Sequence, residues 1–156
     1  MTAPDTRDYF AELYVAGLFG DAGWAVYFPK RDVGFDFIAT KLVDGEMLLR
    51  PVQVKGLYPT AGKKDKVTFG YIGELTASHP AMVLALPYFH VENPHSPETV
   101  AYMPFASQLQ ESVTRWVRCV PACFANGHSK PRRDFKKYFG REGLEAVERF
   151  TWGSEV

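Results

Sequence analysis

Two runs of β-prone residues flank the dipeptide Asp44-Gly45, and this arrangement constrains the fold more than any other feature of the chain. Asp-Gly between apolar runs is a strong signal for a two-residue β-hairpin turn, because both turn positions need a positive φ angle. The pattern predicts antiparallel strands over about residues 35–42 and 47–55. Pro51 has no amide hydrogen to donate and therefore predicts a sheet edge or a bulge in the second strand.

Polar residues occupy the far end of this hairpin. Asp36 lies between two phenylalanines at the start of the first strand, and Gln53 and Lys55 lie at the end of the second. Ionised residues are seldom buried unless they are paired or bind a metal. Because side chains alternate along a strand, Gln53 and Lys55 share one face, and in the expected register both approach Asp36. These three residues are candidates for function.

A helix is predicted over residues 5–22, and its residues are apolar around much of the circumference. Phe10, Leu13, Gly17 and Leu18 fall on one face, and we expect the helix to be buried on more than one side because Tyr9, Val15, Ala16 and Phe19 widen the apolar surface. Glu12 interrupts this pattern. It is either a solvated glutamate on the outer face or a carboxylate directed at the strand that carries Asp36.

The remaining chain predicts further strands with interspersed helices. Residues 81–87 are the most apolar run and predict a central, fully buried strand. Residues 89–98, rich in Pro, His and Asn, predict a loop. The tail from Lys130 onward predicts mainly helix, with Leu144, Val147 and Phe150 facing inward. The element order predicts an α/β or α+β domain built on a central mixed sheet flanked by helices.

Length and charge narrow the class of protein. At 156 residues the chain fits one domain, residues 1–156, with a sizeable core. The formal net charge of zero gives no global attraction to nucleic acid or membrane, so any basic surface must be local. No run approaches the roughly 18 apolar residues of a membrane span, and two cysteines are too few for a disulfide framework. We expect no membrane partner and a cytoplasmic location.

The order and spacing of the polar residues resemble the PD-(D/E)xK nuclease superfamily. The features that carry the resemblance are a helix with Glu12, the segment Gly34 to Asp36 opening a strand, and Gln53 to Gly56 closing the next. The resemblance covers about residues 6–104, and residues 113–152 would form a C-terminal strand and helical extension. It implies a restriction-endonuclease-like core and metal-dependent hydrolysis of phosphodiester bonds in DNA, the activity of an endonuclease.

The resemblance also implies a role for each candidate residue. Asp36 would be the main ligand of Mg²⁺ or Mn²⁺, Gln53 would offer its amide oxygen, and Val54 its backbone carbonyl. Glu12 would bind through water or complete a second site, and Lys55 would assist the attacking water. Mg²⁺ prefers oxygen ligands and keeps several waters. Gln53 stands where the family usually has a carboxylate, so metal affinity should fall and a two-metal site is less expected.

DNA binding would need phosphate contacts from local lysines and arginines. Two basic clusters are candidates. The first comprises Lys63, Lys64 and Lys66. The second comprises Lys130, Arg132, Arg133, Lys136 and Lys137. Each is otherwise an ordinary solvated basic face, and the zero net charge predicts weak or partner-dependent binding.

Two other hypotheses remain open from the sequence. The chain could be a nuclease-fold protein that binds nucleic acid or oligomerises without cutting. It could also be a structural α/β domain in which Asp36 and Lys55 form a buried ion pair. A homodimer that cuts two strands fits a chain of this size, and the C-terminal helix is the candidate for its interface.

Overall fold

The predicted hairpin forms two neighbouring strands of the larger of two β-sheets. The structure, a computed structural model, describes residues 6–31, 33–58, 67–74, 79–90, 92–104 and 116–153. In chain order its elements are α1 (Thr6–Asp21), β1 (Ala25–Tyr27), β2 (Phe37–Val43), β3 (Glu46–Val54), β4 (Val67–Glu74), β5 (Val83–His90), β6 (Asn93–Pro104), β7 (Trp116–Ala125), β8 (His128–Pro131), a 3₁₀ helix (Arg133–Tyr138) and α2 (Gly140–Ala146).

The larger sheet is mixed, with strand order β1-β2-β3-β5-β6. Strands β3 and β5 pair in parallel, and the other neighbours pair antiparallel. A second sheet has the order β4-β7-β8 and is antiparallel. The fold is therefore α+β with a central mixed sheet, which confirms the predicted class. No helix in the described ranges is both long and apolar enough to cross a lipid bilayer.

The hairpin turn has the predicted chemistry. Asp44 and Gly45 have φ angles of 49° and 79°, the left-handed values that a two-residue turn requires. The β2–β3 register runs without interruption, so the bulge predicted at Pro51 is wrong. The prediction of an edge is correct on one side: β3 pairs with β5 only from Val52 onward, and Pro51 precedes that pairing. Its missing amide hydrogen therefore breaks no ladder bond.

The central sheet has a core on each face. The face toward α1 is packed by large apolar side chains, among them Phe19, Phe37, Val52, Val83 and Tyr102. The opposite face packs against the second sheet and the 3₁₀ helix through Leu84, Leu86, Tyr88, Phe124 and Tyr138. Because β5 contributes to both cores, it is fully buried along nearly its whole length, as the apolar run predicted.

The loop predicted over residues 89–98 is wrong. Strand β5 continues to His90, and β6 begins at Asn93 and runs through this proline-rich segment. The pairing is irregular at Phe89 and His90, and these register shifts accommodate buried Pro97 opposite Phe89. Strand β6 lies at the edge of the sheet, where a missing amide hydrogen is tolerated.

The prediction that α1 is buried on more than one side is also wrong. Phe10, Leu13 and Gly17 lie on its exposed side, and Leu18 is half-buried. The side packed on the sheet consists of Ala11, Val15, Ala16 and Phe19. A helix that is apolar around its circumference carries no periodicity strong enough to select one face.

The C-terminal tail is only partly helical. Lys130 lies in β8, and the 3₁₀ helix and α2 follow. Val147 is buried and Leu144 half-buried, as predicted, but Phe150 is exposed rather than inward-facing. Val147 and Trp152 enter the same core as α1, so the C-terminal segment is part of the central packing.

Candidate active site

Asp36 joins the start of β2 to the end of β3. Its main-chain amide donates to the carbonyl of Val52 at 2.9 Å. Its carboxylate oxygen Oδ2 accepts a hydrogen bond of 2.6 Å from the main-chain amide of Val54. Hydrogen bonds to an ionised acceptor are shorter and stronger than neutral ones. The acidic residue and the end of the second strand are therefore held together, as the hairpin register predicted.

The geometry of the strand end explains this bond. The amide of Val54 points toward the β2 side of β3, but regular pairing with β2 stops at the pair of Phe37 and Val52. Beyond that pair, β3 has no strand to accept from Val54, and the Asp36 carboxylate takes the place of a strand carbonyl. A buried amide without an acceptor is costly, so Asp36 also has a structural role.

The carbonyl of Val54 points to the same side of β3. The amide of Lys55 donates to the carbonyl of Ala85 in β5 at 3.0 Å. In a planar trans peptide the carbonyl of the preceding residue points the opposite way. The Val54 carbonyl is therefore directed away from β5, to the side that holds Asp36. A carboxylate and a main-chain oxygen thus lie on the same side of the end of β3.

Gln53 and Lys55 lie on the sheet face opposite α1. Val52 and Val54 belong to the core under α1, and alternation places Gln53 on the other face. Its register partner, Leu84, belongs to the second core, which agrees with this assignment. Leu57 also enters the second core, so the alternation continues past the strand and gives Lys55 the same face as Gln53.

Glu12 approaches from the α1 side. Phe10 contacts the ring of His95 near the β5–β6 turn, and Phe19 contacts the ring of Phe37 at the start of β2. Half-buried Glu12 lies between these two contacts along α1.

The chemistry of this donor set fits a magnesium ion. A carboxylate, an amide oxygen and a main-chain carbonyl are the oxygen ligands that Mg²⁺ takes, with waters filling the remaining positions. A carboxylate has about four lone-pair sites, so the bond from Val54 does not by itself exclude a metal at Asp36. Within the described residues there is no metal-binding group of three or more His, Cys, Asp or Glu side chains. Only Glu12 and Asp36 of the predicted set are of those types.

The second basic cluster lies on the same side of the sheet as Gln53, because the 3₁₀ helix packs there through Tyr138. Two of its members also make structural contacts: Arg132 donates to the Val120 carbonyl at 2.9 Å and lies over the ring of Phe135, and Lys137 lies over the ring of Tyr138. All five members of the cluster are exposed. The first cluster, Lys63, Lys64 and Lys66, lies outside the described residues.

Sequence reasoning missed a second charged residue of the hairpin, Arg50, which is only 6% exposed. Its guanidinium donates to three carbonyls, those of Leu49, Val147 and Arg149. Burial lowers the pKa of Arg50 from its ordinary value, although arginine keeps its charge at neutral pH. The rule that singled out Asp36, a charge within a buried strand, would also have found Arg50.

These elements define an α+β protein in which an acidic residue, an amide and a lysine are placed at two adjoining strand ends. Comparison of the chain with models of known protein families, with curated protein sequences and with solved structures returned no match.

Proposed function

We propose that this protein is a metal-dependent phosphodiesterase that cuts DNA, with a restriction-endonuclease-like core. The observation that carries the proposal is the 2.6 Å bond from the Val54 amide to the Asp36 carboxylate. It joins the start of β2 to the end of β3. Gln53 and Lys55 flank Val54 in the chain, which supports assigning them to the same site as Asp36.

Asp36, the Gln53 amide oxygen and the Val54 carbonyl are the groups that would hold Mg²⁺ or Mn²⁺. A bound metal of this kind neutralises charge on a phosphate and makes a bound water more acidic. The Lys55 ammonium would stabilise negative charge that develops on the phosphate, or orient the attacking water. Glu12 would contribute through water from the α1 side of the sheet.

Gln53 weakens this site relative to a set with another carboxylate. The amide keeps an oxygen in position but removes one negative charge, so we expect metal binding to need higher concentrations. The exposed cationic residues of the second basic cluster would hold the DNA backbone on the Gln53 side of the sheet. With a net charge of zero, long-range attraction to DNA is small, and we propose weak or partner-dependent binding in the cytoplasm.

The test is cleavage of plasmid, branched and single-stranded DNA in the presence of Mg²⁺ or Mn²⁺. Asp36→Asn keeps an oxygen that can accept from Val54 but removes the charge, so the fold should persist and cutting should fall about 100-fold or more. Lys55→Ala should lose about as much. Lys30→Ala, at an exposed lysine outside the site, is the matched control and should cut like the wild type. Equal cutting by all four proteins would refute this site.

Gln53→Glu separates the remaining hypotheses. The added carboxylate should tighten metal binding and raise the cutting rate of an active enzyme. If the wild type and Gln53→Glu both bind DNA without cutting it, the protein is a nucleic-acid-binding module on a nuclease-like fold. If neither binds nor cuts, Asp36 has a structural role alone.

A further inference from the structure

Helix α1 presents an apolar face to solvent as well as to the core. Tyr9, Phe10 and Leu13 are 63%, 40% and 44% exposed, and Gly17 and Gly20 are also exposed. Every exposed position from Tyr9 to Gly20 is therefore apolar or glycine. The outer face of a surface helix normally carries charged and polar residues. This face instead has the composition of an interface core, from which charges are depleted.

The spacing of these residues forms a single stripe. Phe10, Leu13, Gly17 and Gly20 are separated by three, four and three residues, the interval of a helix–helix seam. Large side chains occupy the N-terminal half of the stripe, and glycines occupy the C-terminal half. If a Cβ atom were added to Gly17 or Gly20, it would have no atom of the described residues within 4 Å, apart from its own stretch of helix. The C-terminal half of the stripe therefore leaves room for an incoming side chain.

We propose that α1 is the interface of a homodimer in which two copies of the helix pack antiparallel across a two-fold axis. One register places Leu13 on the partner's Gly17 and Phe10 on the partner's Gly20. A two-fold contact must be self-complementary, and this stripe meets that condition because its large half faces the partner's small half.

The area of the stripe sets the strength of this dimer. From the exposed fractions, Tyr9, Phe10 and Leu13 together offer about 300 Å² per copy. Specific interfaces bury at least about 600 Å² per partner, so the flanks of the helix must supply the rest. Close approach of the backbones at the two glycines permits this. Since the large side chains of the stripe supply only about half of that area, the expected dimer is weak, with a Kd on the order of tens of micromolar.

This interface differs from the C-terminal helix expected from the sequence, and it does not depend on the proposed function. Glu12 is half-buried on the flank of α1 that turns toward the sheet, outside the stripe. A partner on the stripe therefore does not cover Glu12.

Sedimentation velocity of the full chain over about 1–200 µM tests the proposal. The wild type should pass from monomer to dimer, and Gly17→Leu/Gly20→Leu should stay monomeric because the new side chains fill the space that the partner needs. Leucine is a better helix former than glycine, so this variant should melt no lower than the wild type. Met47→Ser, which removes an exposed apolar side chain of β3, is the matched control and should dimerise normally.

A cysteine pair tests the register. Leu13→Cys/Gly17→Cys should form covalent dimers under mild oxidation, whereas Leu13→Cys alone should not, because its two copies lie about one helical turn apart. A wild type that stays monomeric throughout the range would overturn the proposal. Dimers that survive Gly17→Leu/Gly20→Leu, or that Met47→Ser abolishes, would also overturn it, since the interface would then lie elsewhere. Equal cross-linking by the single and double cysteine variants would refute the antiparallel register.

Discussion

Arg50 and Asp36 belong to the same hairpin and both hydrogen-bond to main chain, yet their surroundings differ. Arg50 is deeply buried, and its guanidinium donates to three carbonyls. Two of these carbonyls, at Val147 and Arg149, follow the C-terminal end of α2, where helix carbonyls lack partners. Asp36 is half-buried at a strand end, and its carboxylate accepts a hydrogen bond from the Val54 amide. A charged residue in a strand is therefore not by itself a sign of function. Arg50 and Asp36 differ in how deeply they are buried and in where they lie along their strands.

The largest effect on stability should come from Arg50→Met. Methionine fills a similar space but leaves the Val147 and Arg149 carbonyls without their donors, which should lower the free energy of unfolding by about 3–4 kcal/mol. Arg50→Lys, which keeps the charge and can reach one carbonyl, should lose about half as much. Urea titration followed by circular dichroism measures both. A loss under about 1 kcal/mol for Arg50→Met would mean that the residue does not hold the C-terminal segment in place.

A smaller effect should distinguish two substitutions at Asp36. Asp36→Ala leaves the Val54 amide without an acceptor and should cost about 2 kcal/mol of unfolding free energy. Asp36→Asn retains an acceptor oxygen and should cost about 1 kcal/mol or less. Hydrogen exchange at the Val54 amide provides a local measurement, with faster exchange expected only in Asp36→Ala. If both variants lose the same stability, charge rather than hydrogen bonding fixes the strand end.

The smallest effect concerns Cys119, a buried group that is uncharged at neutral pH. Burial raises the pKa of Cys119 to about 12, whereas the thiol of the unfolded chain ionises at its ordinary, lower pKa. Its contribution to stability is therefore present below about pH 9 and is lost as the pH rises toward 12. The loss is at most about 1.4 kcal/mol per pH unit.

Urea unfolding at about pH 8 and about pH 10 would measure this loss. The wild type should lose more stability between the two than Cys119→Ala. Burial also raises the pKa of Tyr88 and Tyr102, so both proteins should weaken somewhat. Identical pH dependence in the two proteins would contradict the assignment to Cys119.

The sequence was sufficient to predict those elements whose conformation depends on residues nearby in the chain. The turn at Asp44-Gly45 needs positive φ at both positions, and few other residue pairs accept it. Strand β5 was predictable because a short, continuous apolar run fits a strand buried on both faces. The same signals placed Asp36 beside the end of β3, since an uninterrupted hairpin register leaves little freedom.

Other features depended on partners distant in sequence. Residues 89–98 read as a loop because their prolines disfavour a strand, but pairing with β5 and its irregular register allow one. The sequence could not show what Arg50 binds, because two of its three acceptors lie about one hundred positions later in the chain.

The sequence by itself determined the hairpin, the buried strand and the α+β class, because turn chemistry and apolar runs act over a few residues. It also supplied the motif of Asp36, Gln53 and Lys55. Only the tertiary structure decided which side of α1 faces the sheet, because a helix apolar around its circumference packs through whichever side fits best. It also decided that the Asp36 carboxylate completes the end of β3, since that bond exists only where β2 stops short of its neighbour.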